Sequence, residues 1–259
     1  MILEILRGIR SALSLLLTLF VFVPGGLYLY LVLIPAAALF PARAEAWRAA
    51  FIKWMAHALL EGLRLGGARF TRIGGIPTEG PSVVVGNHQS LADPAVLLSM
   101  CTGAWVPAFV ARRRYAKVPV VGEAMRWARC PIIDPTRDAR GAVAIVAAAA
   151  AHLEHGLLIF PEGHRTLDGE IRPFRTSGLI AILTTRRMPV YLAVTDGLWV
   201  NRRLVDFVFN SHRMHGVTEI LGPFAPPEDP GAIPAFIDGL RDTMVGHLAR
   251  MRQRNERAA

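Results

Sequence analysis

An apolar run ends at Gly86, and the next seven residues then carry an amide, an imidazole, a hydroxyl and a carboxylate: VVVGNHQSLADP, with Asn87, His88, Ser90 and Asp93. A histidine just past a strand end and a carboxylate five positions later, at a helix start, come within hydrogen-bond reach if the turn folds back. The carboxylate then holds one imidazole tautomer and stabilises the protonated ring. Such a ring can take a proton from a hydroxyl near neutral pH, by the logic of the orienting carboxylate in catalytic triads. Ser90 suggests a complete Ser-His-Asp set. The chain has no GxSxG elbow, however, and three members on one short turn do not face a common acyl carbon, so a substrate hydroxyl is the expected nucleophile. The plainer alternative is a surface histidine and an aspartate that only caps the helix opened by Pro94.

A second polar loop, Phe160-Pro-Glu-Gly-His-Arg-Thr166, follows another apolar strand. Gly163 frees the backbone to turn. Arg165 offers a fork that grips phosphate oxygens in pairs. Arg137, Arg172 and Arg175 are further candidates for the same cleft, against the reading that they are solvated charges. No HExxH or similar spacing supports a zinc site made from His88, Asp93 and His164. No metal and no resident cofactor are expected.

These loops need strands to deliver them. Ser82–Gly86 and Leu157–Phe160 read as buried strands of a parallel sheet, with further strands at Trp105–Val110, Pro131–Asp134, Pro189–Val194 and Val217–Leu221. Helices are expected at Ala42–Leu65, from Asp93, over Asp138–His155 and over Ala232–Arg254. The alternation implies an α/β fold, a mostly parallel or mixed central sheet flanked by helices. In such sheets ligands bind beyond the carboxyl ends of the strands, so the two loops share a cleft if their strands are neighbours.

The chain has 259 residues, 53% of them hydrophobic, and a net charge of +9, which favours an anionic partner. The basic residues are not interleaved with the aromatic-glycine signatures of base-stacking modules, so nucleic acid is not expected. Cys101 and Cys130 stand far apart, which excludes a disulfide framework and fits a reducing compartment.

No charge occurs between Arg10 and Arg43. Pro24-Gly25-Gly26 is expected to break this stretch into two short helices, because proline lacks a donor and glycine is a poor helix former. Basic residues on both flanks (Arg7 and Arg10, then Arg43, Arg48 and Lys53) should keep both ends on the cytoplasmic side. The expectation is a helical hairpin dipping into the cytoplasmic face of the membrane, residues 1–65, before an α/β domain at 66–259. A signal peptide or a buried helical pair are the alternatives.

NHQSLAD matches the NHxxxxD motif, and FPEGHRT the FPEGTR-like motif, of the glycerolipid acyltransferases. Among these the chain most resembles the 1-acyl-glycerol-3-phosphate (lysophosphatidate) acyltransferases. FVARRRYAKVPVVGEAMRWARCPIIDPTRD, ending near Arg137, and MPVYLAVTDG are similar too, and the likeness covers roughly Gly74 to Phe224. It implies that His88 is the general base and Asp93 its partner, with Asn87 and Ser90 in support. It also implies that Arg137, Glu162, Gly163 and Arg165, aided by Arg175, hold the acceptor's phosphate. The donor would be acyl-CoA or an acyl-carrier-protein thioester, the acceptor a lysophospholipid, and the setting a membrane surface. Lyso-ornithine lipid, another lysophospholipid or glycerol 3-phosphate are alternative acceptors, and a lipid-binding protein without turnover is the alternative of another class. His164 stands where the family usually has threonine, and Arg175 where lysine is common. The insert Leu198–Gly216 has no match.

Overall fold

The computed structural model describes residues 2–201 and 204–258; Arg202 and Arg203 of the insert lie outside them. In chain order the elements begin with helix α1 (Ile2–Tyr28), a π turn (Leu29–Leu33), α2 (Ile34–Leu39) and α3 (Pro41–Leu65). Then come β1 (Arg69–Ile73), β2 (Val83–Gly86), α4 (Asp93–Ser99), β3 (Ala108–Phe109), β4 (Ala111–Arg112), α5 (Val121–Trp127) and β5 (Ile132–Ile133). The chain continues with α6 (Ala139–His152), β6 (Leu157–Ile159), α7 (Thr176–Thr185), β7 (Val190–Asp196), α8 (Leu204–Phe209), β8 (His215–Phe224) and α9 (Ile233–Ala258).

Six strands form one mixed sheet in the order β1-β8-β7-β2-β6-β3, while β4 and β5 pair separately. Strand β2 lies between β6 and β7 and is parallel to both, with Val84 opposite Leu158 and Tyr191. Residues Val83 to Val85, Leu157 and Leu158 are fully buried. Such strands, covered on both faces, read as unbroken apolar runs. Parallel neighbours end at the same edge, so the loops after β2 and β6 emerge side by side. The expected strands are present, with Trp105–Val110 reduced to two residues and Pro131–Asp134 moved to the small second sheet. Asp138 caps α6 by accepting from Gly141 N, and that helix ends at His152, before Gly156.

The N-terminal region departs from expectation at one point. Helix runs through Pro24, Gly25 and Gly26, and the chain turns only at Phe40, where α3 starts back. The glycines serve close packing instead of a break. A Cβ on Gly25 would strike the Trp54 ring, and one on Gly26 the Val120 side chain. The irregularity lies further on, where Ile34 N–H bonds to Leu29 O across the π turn. That wide turn sits just ahead of Pro35, whose ring would otherwise clash with the carbonyl four residues back.

Helix α1 is polar inside and apolar outside. Ser11, Ser14 and Thr18 are buried against α3 and the residues after α8, with Ser11 Oγ donating to Gly66 O at 3.2 Å. Leu13, Leu16, Leu17, Leu19 and Phe20 face outward, each more than half exposed. The stretch Ile2–Leu39 is long and apolar enough to cross a membrane by length and composition.

The α1–α3 contact is testable at Gly62. A side chain there would overlap the Thr18 hydroxyl, and its first carbon would lie 2.9 Å from Thr18 Cβ, so no rotamer of threonine makes room. Gly62→Leu is expected to destabilise the detergent-solubilised protein by about 1–3 kcal/mol. Thermal unfolding measures this, and an unchanged midpoint would mean that α1 is not seated on α3.

Candidate active site

The loop after β2 is built around one buried carboxylate. Asn87 extends the strand pairing with its side chain, since Nδ2 donates to Thr195 O and Oδ1 accepts from Thr195 N, both at 2.8 Å. The chain then folds back so that Asp93 Oδ2 accepts from three donors: His88 Nδ1 at 2.7 Å, Gln89 N at 2.6 Å and Ser90 N at 2.8 Å. Asp93 is only 1% exposed. It does not cap α4, because its side chain turns back into the loop. Ser90 is fully buried and its Oγ accepts from Ala92 N, which makes it a turn residue rather than a nucleophile.

His88 is thereby oriented. Nδ1 is committed to Asp93, so that nitrogen carries the proton and Nε2 keeps a lone pair at the cavity that His88 lines. The ring stacks on Phe160, with centroids 4.5 Å apart and planes 24° from parallel. Gly86 makes this possible, since a Cβ there would lie 2.8 Å from the Phe160 ring.

The loop after β6 locks onto the first one. Glu162 is buried, and its two oxygens accept from His88 N at 2.8 Å and Arg172 N at 3.0 Å. Thr166 N donates to His88 O at 2.8 Å. Burial pushes the Glu162 carboxyl up to about 7, against the pull of the two backbone donors.

Both loops border one cavity of about 810 Å³. Its wall is apolar at Phe22, Ile52, Met55, Leu59, Leu98 and Met125 and cationic at Arg112, Arg114, Arg165, Arg172 and Arg175. No carboxylate among the described residues lines it. Arg165 Nη1 is buried without a hydrogen-bond partner. His164 sits among these guanidiniums. Burial, and then the charges of Arg112, Arg175, Arg172 and Arg114, lower its pKa, so the ring is neutral at pH 7. Among the described residues, no three His, Cys, Asp or Glu side chains gather as a metal site.

A base in a cavity lined by both apolar and guanidinium groups suits a reaction between an acyl chain and an anionic acceptor. The sequence comparisons agree, for residues 68–194 match the Acyltransferase family. Residues 68–194 form a domain of that family. It is 28% identical over 173 residues to the 1-acyl-sn-glycerol-3-phosphate acyltransferase alpha of Bos taurus. That alignment takes in 65% of this chain and 58% of the bovine protein, so the chain spans less than two thirds of this curated relative. The crystal structure of the 1-acyl-sn-glycerophosphate (LPA) acyltransferase from Thermotoga maritima shows the same fold, with a TM-score of 0.68 over 94% of this chain and 98% of that one at 20% identity.

Within this acyltransferase domain the expected site residues divide. His88 and Asp93 form the pair, and Gly163, Arg165 and Arg175 line the cavity. Glu162 lies behind it as a clamp between the loops, both oxygens turned to backbone. Arg137 is exposed and does not line the cavity, although Pro135 and Ala139 on either side of it do. Arg112 and Arg114 were not foreseen as site residues. Their spacing in RRR, two apart at the end of a short strand, was the available signal, because such residues share a face.

Glu162 yields a pH prediction. A carboxyl whose folded pKa, about 7, exceeds the 4.5 of the free group binds its proton more tightly in the folded chain. It therefore adds stability at low pH that is lost as pH rises through 7. Unfolding midpoints of wild type and Glu162→Gln between pH 5 and 8 should diverge in this sense. Parallel curves would contradict it. Glu162→Ala strands two buried N–H groups and should cost about 2–4 kcal/mol at any pH.

Proposed function

We propose that this protein transfers a fatty acyl group from a thioester to the free hydroxyl of 1-acyl-glycerol 3-phosphate, giving phosphatidate. The observation that carries the reading is the His88–Asp93 pair, with His88 lining a cavity whose wall holds both apolar side chains and five arginines. The acceptor's phosphate sits among Arg165, Arg172, Arg175 and Arg112, with Arg137 at the rim, and its hydroxyl points at His88. Nε2 takes the hydroxyl proton as the oxygen attacks the thioester carbonyl. The tetrahedral adduct then collapses, the C–S bond breaks, and the leaving thiolate takes the proton from the imidazolium. Asp93 stabilises the imidazolium between these transfers. Acyl-CoA or an acyl carrier protein supplies the thioester, and no resident cofactor takes part.

We place the protein on the cytoplasmic face of a membrane. Protein contacts line the inner side of the α1–α2 helix from Ser11 to Ala37, leaving only its apolar outer side for lipid. At roughly 57 Å it is far longer than a bilayer core of about 30 Å, so it lies along one leaflet rather than across the bilayer. Phe22, on this helix, also lines the cavity, which brings the lipid phase next to it.

Free-thiol release by the purified protein tests the reading. Acyl-CoA or acyl carrier protein would be offered with lysophosphatidate, glycerol 3-phosphate or a neutral lysolipid. Release is expected with lysophosphatidate alone, and His88→Ala should lower it by about 10³-fold or more. Asp93→Asn should cut kcat by about 10²–10⁴ with KM changed only a few-fold. Release with another acceptor would move the substrate assignment, and lipid binding without any acceptor-dependent release would overturn the reaction.

A further inference from the structure

The His164 ring is bracketed by two guanidinium groups that line the same cavity. Nε2 is 3.2 Å from Arg112 Nη2, and Nδ1 is 3.5 Å from Arg175 Nη2. A neutral imidazole has one acceptor nitrogen and a guanidinium only donates, so at most one of these contacts is a hydrogen bond. The shorter contact is to Nε2. Arg112 Nη2 has two hydrogens, and the other goes to Gly163 O at 2.5 Å. Arg112 thus makes Nε2 the acceptor and leaves the ring proton on Nδ1. Nδ1–H and Arg175 Nη2 are then two donors 3.5 Å apart with no acceptor between them.

The surroundings hold this arrangement in place. Gly163, at φ 72°, lets the aliphatic stem of Arg175 pass close by, where a Cβ would lie 3.1 Å from Arg175 Cδ. The charges facing the ring are Arg112 on β4, Arg114 just beyond it, Arg172 in the loop before α7, and Arg175 at the start of α7. All are positive, so the ring stays neutral, and the missing group is an anionic acceptor of hydrogen bonds.

We infer that His164 is a ligand for the acceptor's phosphate, with Nδ1–H and Arg175 Nη2 donating to a single phosphoryl oxygen. The inference rests on the proposed reaction and deepens it, since it makes His164 part of what separates phosphorylated from neutral acceptors.

Acceptor saturation kinetics test it, with lysophosphatidate and a neutral monoacylglycerol as probes. His164→Leu removes the donor, whereas His164→Asn puts an amide N–H near the place of Nδ1. The leucine variant should raise KM for lysophosphatidate about ten- to a hundredfold, the range of one charge-assisted hydrogen bond, and change kcat far less. The asparagine variant should restore KM to within about threefold of wild type. Equal impairment of both variants would assign His164 a merely structural role, and an unchanged KM in His164→Leu would remove it from the site; either result overturns the inference. Wild type acylating monoacylglycerol as well as lysophosphatidate would instead overturn the phosphate reading and this inference together.

Discussion

The catalytic end of the molecule depends on satisfying one buried charge. Asp93 is almost wholly removed from water, and three N–H groups converge on its Oδ2. A buried carboxylate is tolerated only when paired and hydrogen-bonded. Two of its donors are the backbone of Gln89 and Ser90, so the charge dictates how the loop folds, and the third is the imidazole it orients. Glu162 repeats the device one strand away by holding His88 N and Arg172 N. Together the two carboxylates hold the loops after β2 and β6 to each other, which only a parallel neighbouring pair of strands allows. The adjacency of β2 and β6 is therefore as much a part of the site as the histidine.

Polar and apolar groups also meet on a larger scale. The cavity wall holds both arginines and apolar side chains, and helix α1 carries its small hydroxyl side chains inward and its large apolar ones outward. That inside-out pattern is the one a lipid phase favours, because small residues let helices approach closely where burial of apolar surface between them brings no gain.

Much of this was legible in the residues. The apolar runs at Ser82–Gly86 and Leu157–Phe160 announced buried parallel strands, and the polar loops after them a shared cleft if those strands were neighbours. The spacing of His88 and Asp93 allowed their pairing beside the plainer reading of a surface histidine and a capping aspartate, and the NHxxxxD resemblance favoured it. What failed did so for physical reasons. Pro24-Gly25-Gly26 reads locally as a break, but Trp54 and Val120, distant in sequence, pack where side chains would stand. Glu162 reads as a group beside a phosphate, yet its oxygens face backbone N–H groups that no sequence pattern reveals. Arg112 and Arg114 entered the site because β4 pairs with β5 beside the cavity, a tertiary fact. In each case a contact between distant segments outweighed the local signal.

A double-mutant cycle on kcat/KM for lysophosphatidate, using His88→Ala, Asp93→Asn and the double variant, tests the central claim most directly. If Asp93 acts only through the imidazole it orients, the double variant will be no slower than His88→Ala alone, with the effect of Asp93→Asn absorbed entirely. Losses that multiply, with Asp93→Asn slowing the His88→Ala protein as much as it slows wild type, would show that the carboxylate works independently of the histidine and would contradict the account.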